Sequence, residues 1–363
     1  MPLSENHRMP SKHAPSRWTP KASLAWQKEH PWLVGCNYMP QNAINQLEMW
    51  QAETFDEKMI DTELGWAKSL GFNSVRVFLH DLLWQQDAKG FLKRIDRFLS
   101  IAKKRGIGAM IVFFDSCWHP FPHPGKQRDP EPGVHNSYWL QSPGLTVLRD
   151  PAAFDRLEEY VTGVVKHFAD DPRVQVWDIW NEPDNPNHAS RGTRDLGHRK
   201  ADIVAPLMSR AFDWARAGKP SQPLTTGIWA GDWRTDDSLR MFEKLQIDLS
   251  DVVSFHCYGH PDDLRMRINQ LRRFGRPLLC TEYMARGPGS TFEGSLPLLK
   301  EHHVGAYNWG FVQGKSQTYF PWDSWQHPYP PEPALWFHDI FRSDGTPYRQ
   351  DEVDFIRSMT GKA

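Results

Sequence analysis

The 363-residue chain lacks an excess of charge of either sign: 43 Lys and Arg stand against 44 Asp and Glu, a net charge of −1. Without a basic surplus there is no electrostatic case for nucleic acid or an anionic membrane as partner. Long apolar runs are missing as well, and none approaches the roughly 18 residues a membrane span needs. Cysteine is scarce. Cys36, Cys117, Cys257 and Cys280 form no CxxC pair, which argues against a zinc ribbon. Each lies at or near an apolar run, as buried free thiols do. No Ser/Gly-rich linker or break in composition divides the chain, so a single domain is expected over residues 31–363. Residues 1–30 carry Pro2, Pro10, Pro15 and Pro20 and no apolar h-region. They read as an irregular N-terminal arm with a docked end around Trp18 and Trp26. No signal peptide is visible, so a cytoplasmic location is expected.

Aromatic residues are abundant instead, with 17 Trp, 9 Tyr and 20 Phe. Tryptophan offers a flat apolar face and one N–H, which suits both large cores and the C–H-rich faces of sugars. The apolar pattern resolves into eight short runs: 32–38, 73–80, 107–114, 174–180, 224–229, 252–258, 277–282 and 305–311. Between them lie stretches of helical periodicity at 56–70, 90–105, 152–169, 199–217, 236–246, 262–274 and 293–303, with two more at 333–342 and 351–359. Strands alternating with helices imply parallel strands and right-handed crossovers. Eight repeats in about 330 residues predict an α/β fold of the (β/α)8 TIM barrel type, with long βα loops at 115–149 and 312–330. A doubly wound sheet would need a Gly-rich phosphate loop after its first strand, and Gly35-Cys36-Asn37-Tyr38-Met39-Pro40 is not one.

In such barrels the C-terminal strand ends carry the chemistry. The polar residues there are Asn37 and Tyr38, Arg76 and His80, Asp115 with Trp118 and His119, Asn181 with Glu182, Trp229, His256 with Tyr258, Glu282 and Trp309. Two carboxylates, Glu182 and Glu282, end the fourth and seventh runs. A glycosidic bond needs such a pair, one group to protonate the leaving oxygen and one to attack the anomeric carbon or activate water. His119 and His123 have metal-like spacing on a helix, but Pro120-Phe121-Pro122 between them prevents one.

The run Val174–Trp180 delivering Asn181-Glu182-Pro183 resembles the acid/base segment of the retaining glycoside hydrolases of clan A, nearest to family 5. His256-Cys257-Tyr258, Thr281-Glu282-Tyr283, Trp309 and Arg76 match further pieces, and the resemblance covers about residues 31–343. It implies that Glu182 is the catalytic acid/base and Glu282 the nucleophile. Asn181 would bind the sugar 2-OH, Arg76 and Tyr258 would hold the nucleophile, His256 would stand beside the acid/base, and Trp309 would floor the sugar subsite. Asn37, Trp118, His119 and Trp229 are further substrate-binding candidates. In family 5 the third strand usually ends in a histidine near the sugar; here Asp115, Trp118 and His119 compete for that place. Gly35-Cys36-Asn37-Tyr38 is similar to the start of β-mannanases. The resemblance thus implies a cofactor- and metal-free double displacement on a β-linked glucan, mannan or xylan. A catalytically silent sugar-binding barrel and a transglycosylase are the alternatives.

Overall fold

The computed structural model describes residues 17–187, 195–329 and 331–362; residues 1–16 of the expected arm lie outside them. Eight parallel strands form the sheet: β1 (Val34–Asn37), β2 (Ser74–Phe78), β3 (Gly108–Asp115), β4 (Val174–Asn181), β5 (Leu224–Thr225), β6 (Val253–His256), β7 (Leu278–Tyr283) and β8 (Gly305–Asn308). Their order is β5-β4-β3-β2-β1-β8-β7-β6. The remaining gap, between β5 and β6, is bridged at Ile228 and Phe255. The result is a (β/α)8 barrel, as the alternation of runs predicts.

Its strands read as continuous apolar runs because helices cover them outside and side chains fill them inside. Gly35 marks where two strands close up: a Cβ there would lie 1.7 Å from the Ser74 carbonyl oxygen. The outer helices start on side-chain caps. Asp56 accepts from the backbone of Lys58 and Met59 to begin Glu57–Ser69, and Thr291 caps Phe292–Glu301 through Gly294.

The barrel floor is apolar. Met110, Val176, Leu279 and Tyr307 meet Leu33, Val252 and Trp26 there. Trp26 belongs to the helix Pro20–Glu29, which starts on a Thr19 cap with Pro20 in its first turn. Ser23 Oγ of that helix donates to the Asp251 carbonyl at 2.7 Å, which fastens it to the strand-start end. The opposite end is left for chemistry.

Other expectations need correction: the arm expected to be irregular contains the helix Pro20–Glu29, and the helix expected at 236–246 lies at Met241–Leu249. Residues 333–342 are not a helix. Their carbonyls are taken by a buried arginine instead: Arg286 donates to the carbonyl oxygens of Trp336 and Asp339, both at 3.0 Å. The expected strand 224–229 shortens to two paired residues, because Thr226 satisfies the Trp180 carbonyl through its Oγ1 at 2.8 Å. The helix expected at 90–105 runs from Asp81 to Lys104, interrupted at Asp87 where the backbone leaves helical angles.

Candidate active site

The C-terminal ends of β2, β4, β6 and β7 converge on one buried cluster. Arg76 of β2 is at its centre, fully buried. Its guanidinium donates to Asp178 Oδ2 at 3.0 and 2.8 Å, to Asn37 Oδ1 at 2.8 Å, to Asn181 Oδ1 at 2.7 Å and to Glu282 Oε1 at 3.1 Å. A cation removed from water must be met by charge and hydrogen bonds on every side, and these five contacts do so. Tyr258 OH donates to the other oxygen, Glu282 Oε2, at 2.8 Å. Asn37 is itself held by the carbonyls of Thr281 and Asn308, at 2.8 and 3.2 Å, so its side chain orients Arg76.

Glu182 follows β4 in a left-handed conformation, φ +41°. Such strain in a residue with a Cβ persists only where surroundings over-determine it. Here the β3 end does so. Ser116 Oγ donates to the Pro183 carbonyl at 2.9 Å and accepts from Trp180 Nε1 at 2.9 Å. The next residue, Cys117, places its thiol 3.2 Å from Glu182 Oε2, which also accepts from Asn185 Nδ2 at 2.6 Å. His256 Nδ1 lies 2.8 Å from Glu182 Oε1 and 3.5 Å from Glu282 Oε2. One ligand atom from each of Glu182, His256 and Glu282 falls within a common 4.8 Å.

The electrostatics follow from burial. Desolvation raises Glu182 above the ordinary carboxylate range, opposed by the Asn185 and Cys117 hydrogen bonds. Desolvation raises Glu282 too, opposed by Arg76 and the Tyr258 hydroxyl. Burial pushes His256 down to about 4, so the imidazole is neutral at neutral pH. Its Nδ1 faces carboxylate oxygens and its Nε2 has no hydrogen-bond partner among the described residues, which places the ring proton on Nδ1. All three groups touching Glu182 are therefore donors.

Glu182, Glu282, Arg76, Asn181, His256 and Tyr258 thus come together. Trp309 is at the β8 end, packed edge-on against Phe78 and Trp139, and lines a small cleft with Asn37 and Tyr38. Trp229 is partly exposed and donates Nε1 to Asp184 at 2.7 Å. Trp118 stacks face to face on Trp325, centroids 4.8 Å apart. His119 remains within its own loop, its ring beside Phe121 and Tyr138. His80 caps the helix Asp81–Lys104, and Tyr38 donates to Glu63.

Of the three competitors at the third strand end, none touches either carboxylate. Asp115 is scaffold: it accepts from Trp139 Nε1 at 2.7 Å and from Asn181 Nδ2 at 3.2 Å, and burial raises its carboxyl to about 6. The residue that reaches the pair is Cys117, which sequence reasoning passed over as a structural thiol. Asp178 and Asn185 were missed as well.

No family model matches the chain, and no curated protein matches it. Solved structures do share its fold. GH5_18 from Streptomyces cattleya, in complex with GlcNAc, is 15% identical with a TM-score of 0.61, over 91% of this chain and 79% of that one. The endo-1,4-β-D-mannanase of Thermotoga petrophila RKU-1 is 13% identical, TM-score 0.58, over 91% and 99%. The exo-β-1,4-mannosidase of Opitutaceae bacterium strain TAV5 is 20% identical, TM-score 0.60, over 91% and 60%. At these identities the likeness establishes the barrel, and it falls among the proteins that the sequence motifs resemble.

Proposed function

We propose that the chain is a retaining β-glycoside hydrolase acting on β-linked, mannan-type saccharides by double displacement. One observation carries this reading: oxygens of Glu182 and Glu282 lie within 4.8 Å of each other, with His256 between them. Retaining enzymes hold their carboxyl groups about 5–5.5 Å apart, whereas inverting ones leave about 6.5–9.5 Å for a water. The mannan class is supported by the mannanase and mannosidase among the structures that share the fold.

In the first step Glu282, kept ionised by Arg76 and Tyr258, attacks the anomeric carbon. Glu182 gives its proton to the leaving oxygen. Because the groups around Glu182 are all donors, the substrate oxygen is the acceptor that its proton finds. The new ester removes the negative charge of Glu282. Glu182, now ionised and relieved of that repulsion, takes a proton from the water that cleaves the ester. Asn181, fixed by Arg76, would hold the 2-OH, and Trp309 would floor the ring.

The test is Glu282→Ala with and without azide, and proton NMR of the first product of the wild type. Turnover should vanish in the variant and return in part with azide, and the wild type should release the β-anomer first. Unimpaired turnover by the variant, or an α-anomer as first product, would refute the reading.

A further inference from the structure

The loops that follow β3 and β8 are not independent; they are sewn together. Asn136 N donates to the Ser316 carbonyl at 2.9 Å, His135 N to Ser324 Oγ at 2.9 Å and Tyr329 N to the Gly133 carbonyl at 3.1 Å. Gln317 Nε2 donates to the carbonyls of Glu131 and Val134, at 2.7 and 2.9 Å, and its Oε1 accepts from Gly133 N at 3.2 Å. The approach at Gly133 is close enough that a Cβ would lie 2.1 Å from the Tyr329 carbonyl oxygen.

Aromatic contacts continue this seam from one carboxylate to the other. Cys117 touches Glu182, and its neighbour Trp118 packs on Trp325 and, at 5.8 Å, on His135. His135 is 5.3 Å from His338, and His338 is 5.8 Å from Tyr258, whose hydroxyl holds Glu282. In the sheet, β2 and β1 lie between β3 and β8. The joined loops therefore stand as a wall over that sector.

The position of the wall has a direction. Glu182, on the β4 side, serves the leaving group, and the partly exposed Trp229 follows β5 beside it. On that reading the sugar attacked by Glu282 of β7 would lie away from that side, toward β8, β1 and β2, where Trp309, Asn37 and Phe78 line the cleft. A chain bound in its middle needs an open groove at both ends.

Resting on the glycosidase reading above, we infer that the wall closes the glycone end of the cleft, so that the enzyme works from the non-reducing chain end and releases one sugar at a time. The test follows the products from reducing-end-labelled β-1,4-mannohexaose by chromatography. The expected course is unlabelled mannose as the sole early product, with the labelled chain shortening one unit at a time. Labelled di- and trisaccharides present from the onset would overturn the inference and leave the glycosidase reading intact. Failure to cleave both the hexaose and an aryl β-mannoside would overturn the reading beneath it. A double variant, Gln317→Ala with Trp325→Ala, should add internal cleavage products; a folded double variant that still yields mannose alone would overturn the wall as the cause. If the double variant does not fold, the wild-type product course decides.

Discussion

Replacing Cys117 by alanine tests how the proton on Glu182 is held. The Cys117 thiol is buried, and burial together with the charge of Glu182 raises it well above its ordinary range, so it stays protonated and donates. A donor to a carboxylate stabilises the ionised form. Removing it raises the Glu182 carboxyl further. A neutral donor of this kind contributes about 0.5–1.5 kcal/mol, and the weak S–H belongs in the lower part of that range. With 1.36 kcal/mol per pKa unit, the alkaline limb of kcat/KM should move up by about 0.4–0.7 unit. Cys117→Ser, which keeps a donor, should stay near the wild type. The substrate must be an unactivated β-1,4-oligosaccharide, since an activated aryl leaving group departs without protonation and hides the limb. A loss of packing alone would lower kcat/KM at every pH without moving the limb. An alkaline limb that stays in place in Cys117→Ala, or a serine variant that shifts as much as alanine, would refute the reasoning.

Two further outcomes concern stability. Asp178 and Arg76 are both fully buried and share two hydrogen bonds, at 3.0 and 2.8 Å, so Asp178→Ala leaves a guanidinium under-compensated in the barrel. Breaking such a pair costs about 3–5 kcal/mol, measurable by urea unfolding at pH 7; a loss under about 1 kcal/mol would mean that Asp178 carries a proton in the fold. His135, in the seam between the loops, is pushed by burial down to about 4. Its folded value lies below its unfolded one, so the stability it contributes is whole above about pH 6.5 and is lost as pH falls toward 4. Between pH 7 and pH 4.5, His135→Gln should therefore lose about 2–3 kcal/mol less than the wild type in urea titrations. Equal losses would show that the ring is not held neutral.

Much of the barrel could be read from residues because its strands are buried on both faces and its helices on one. Those two patterns differ in period, and they alternate eight times. What escaped was set by tertiary contacts. The helix Pro20–Glu29 buries only Ser23 and Trp26, too few positions to give a period. The stretch at 333–342 has helical spacing, yet every residue from Trp336 to Phe341 is buried, His338 and Asp339 included, and its carbonyls meet the side chain of Arg286. No local pattern announces an arginine fifty residues away. In the site, the residues delivered by strand ends converged, since a closed barrel gives such ends one address. Trp118 and His119, on a loop, did not reach the carboxylates, and Cys117 beside them did. A thiol carries neither charge nor period, so nothing in the sequence singled it out.

Asp178 did leave a signal. It is a carboxylate inside the run Val174–Trp180, and a buried charge requires a partner. Arg76 is the single Lys or Arg within the eight strands. On the assignment proposed above, that pairing divides the work between two glutamates of one residue type. Three carboxylates, those of Asp178, Glu182 and Glu282, surround one guanidinium and a neutral imidazole. They cannot all ionise at low cost, and the cluster titrates as a unit. Arg76 gives two N–H groups to Asp178 and one to Glu282, and none to Glu182. The proton that the cluster must keep therefore falls to Glu182, the carboxylate without a cation. On that assignment, acid and nucleophile are told apart by which glutamate accepts from the arginine.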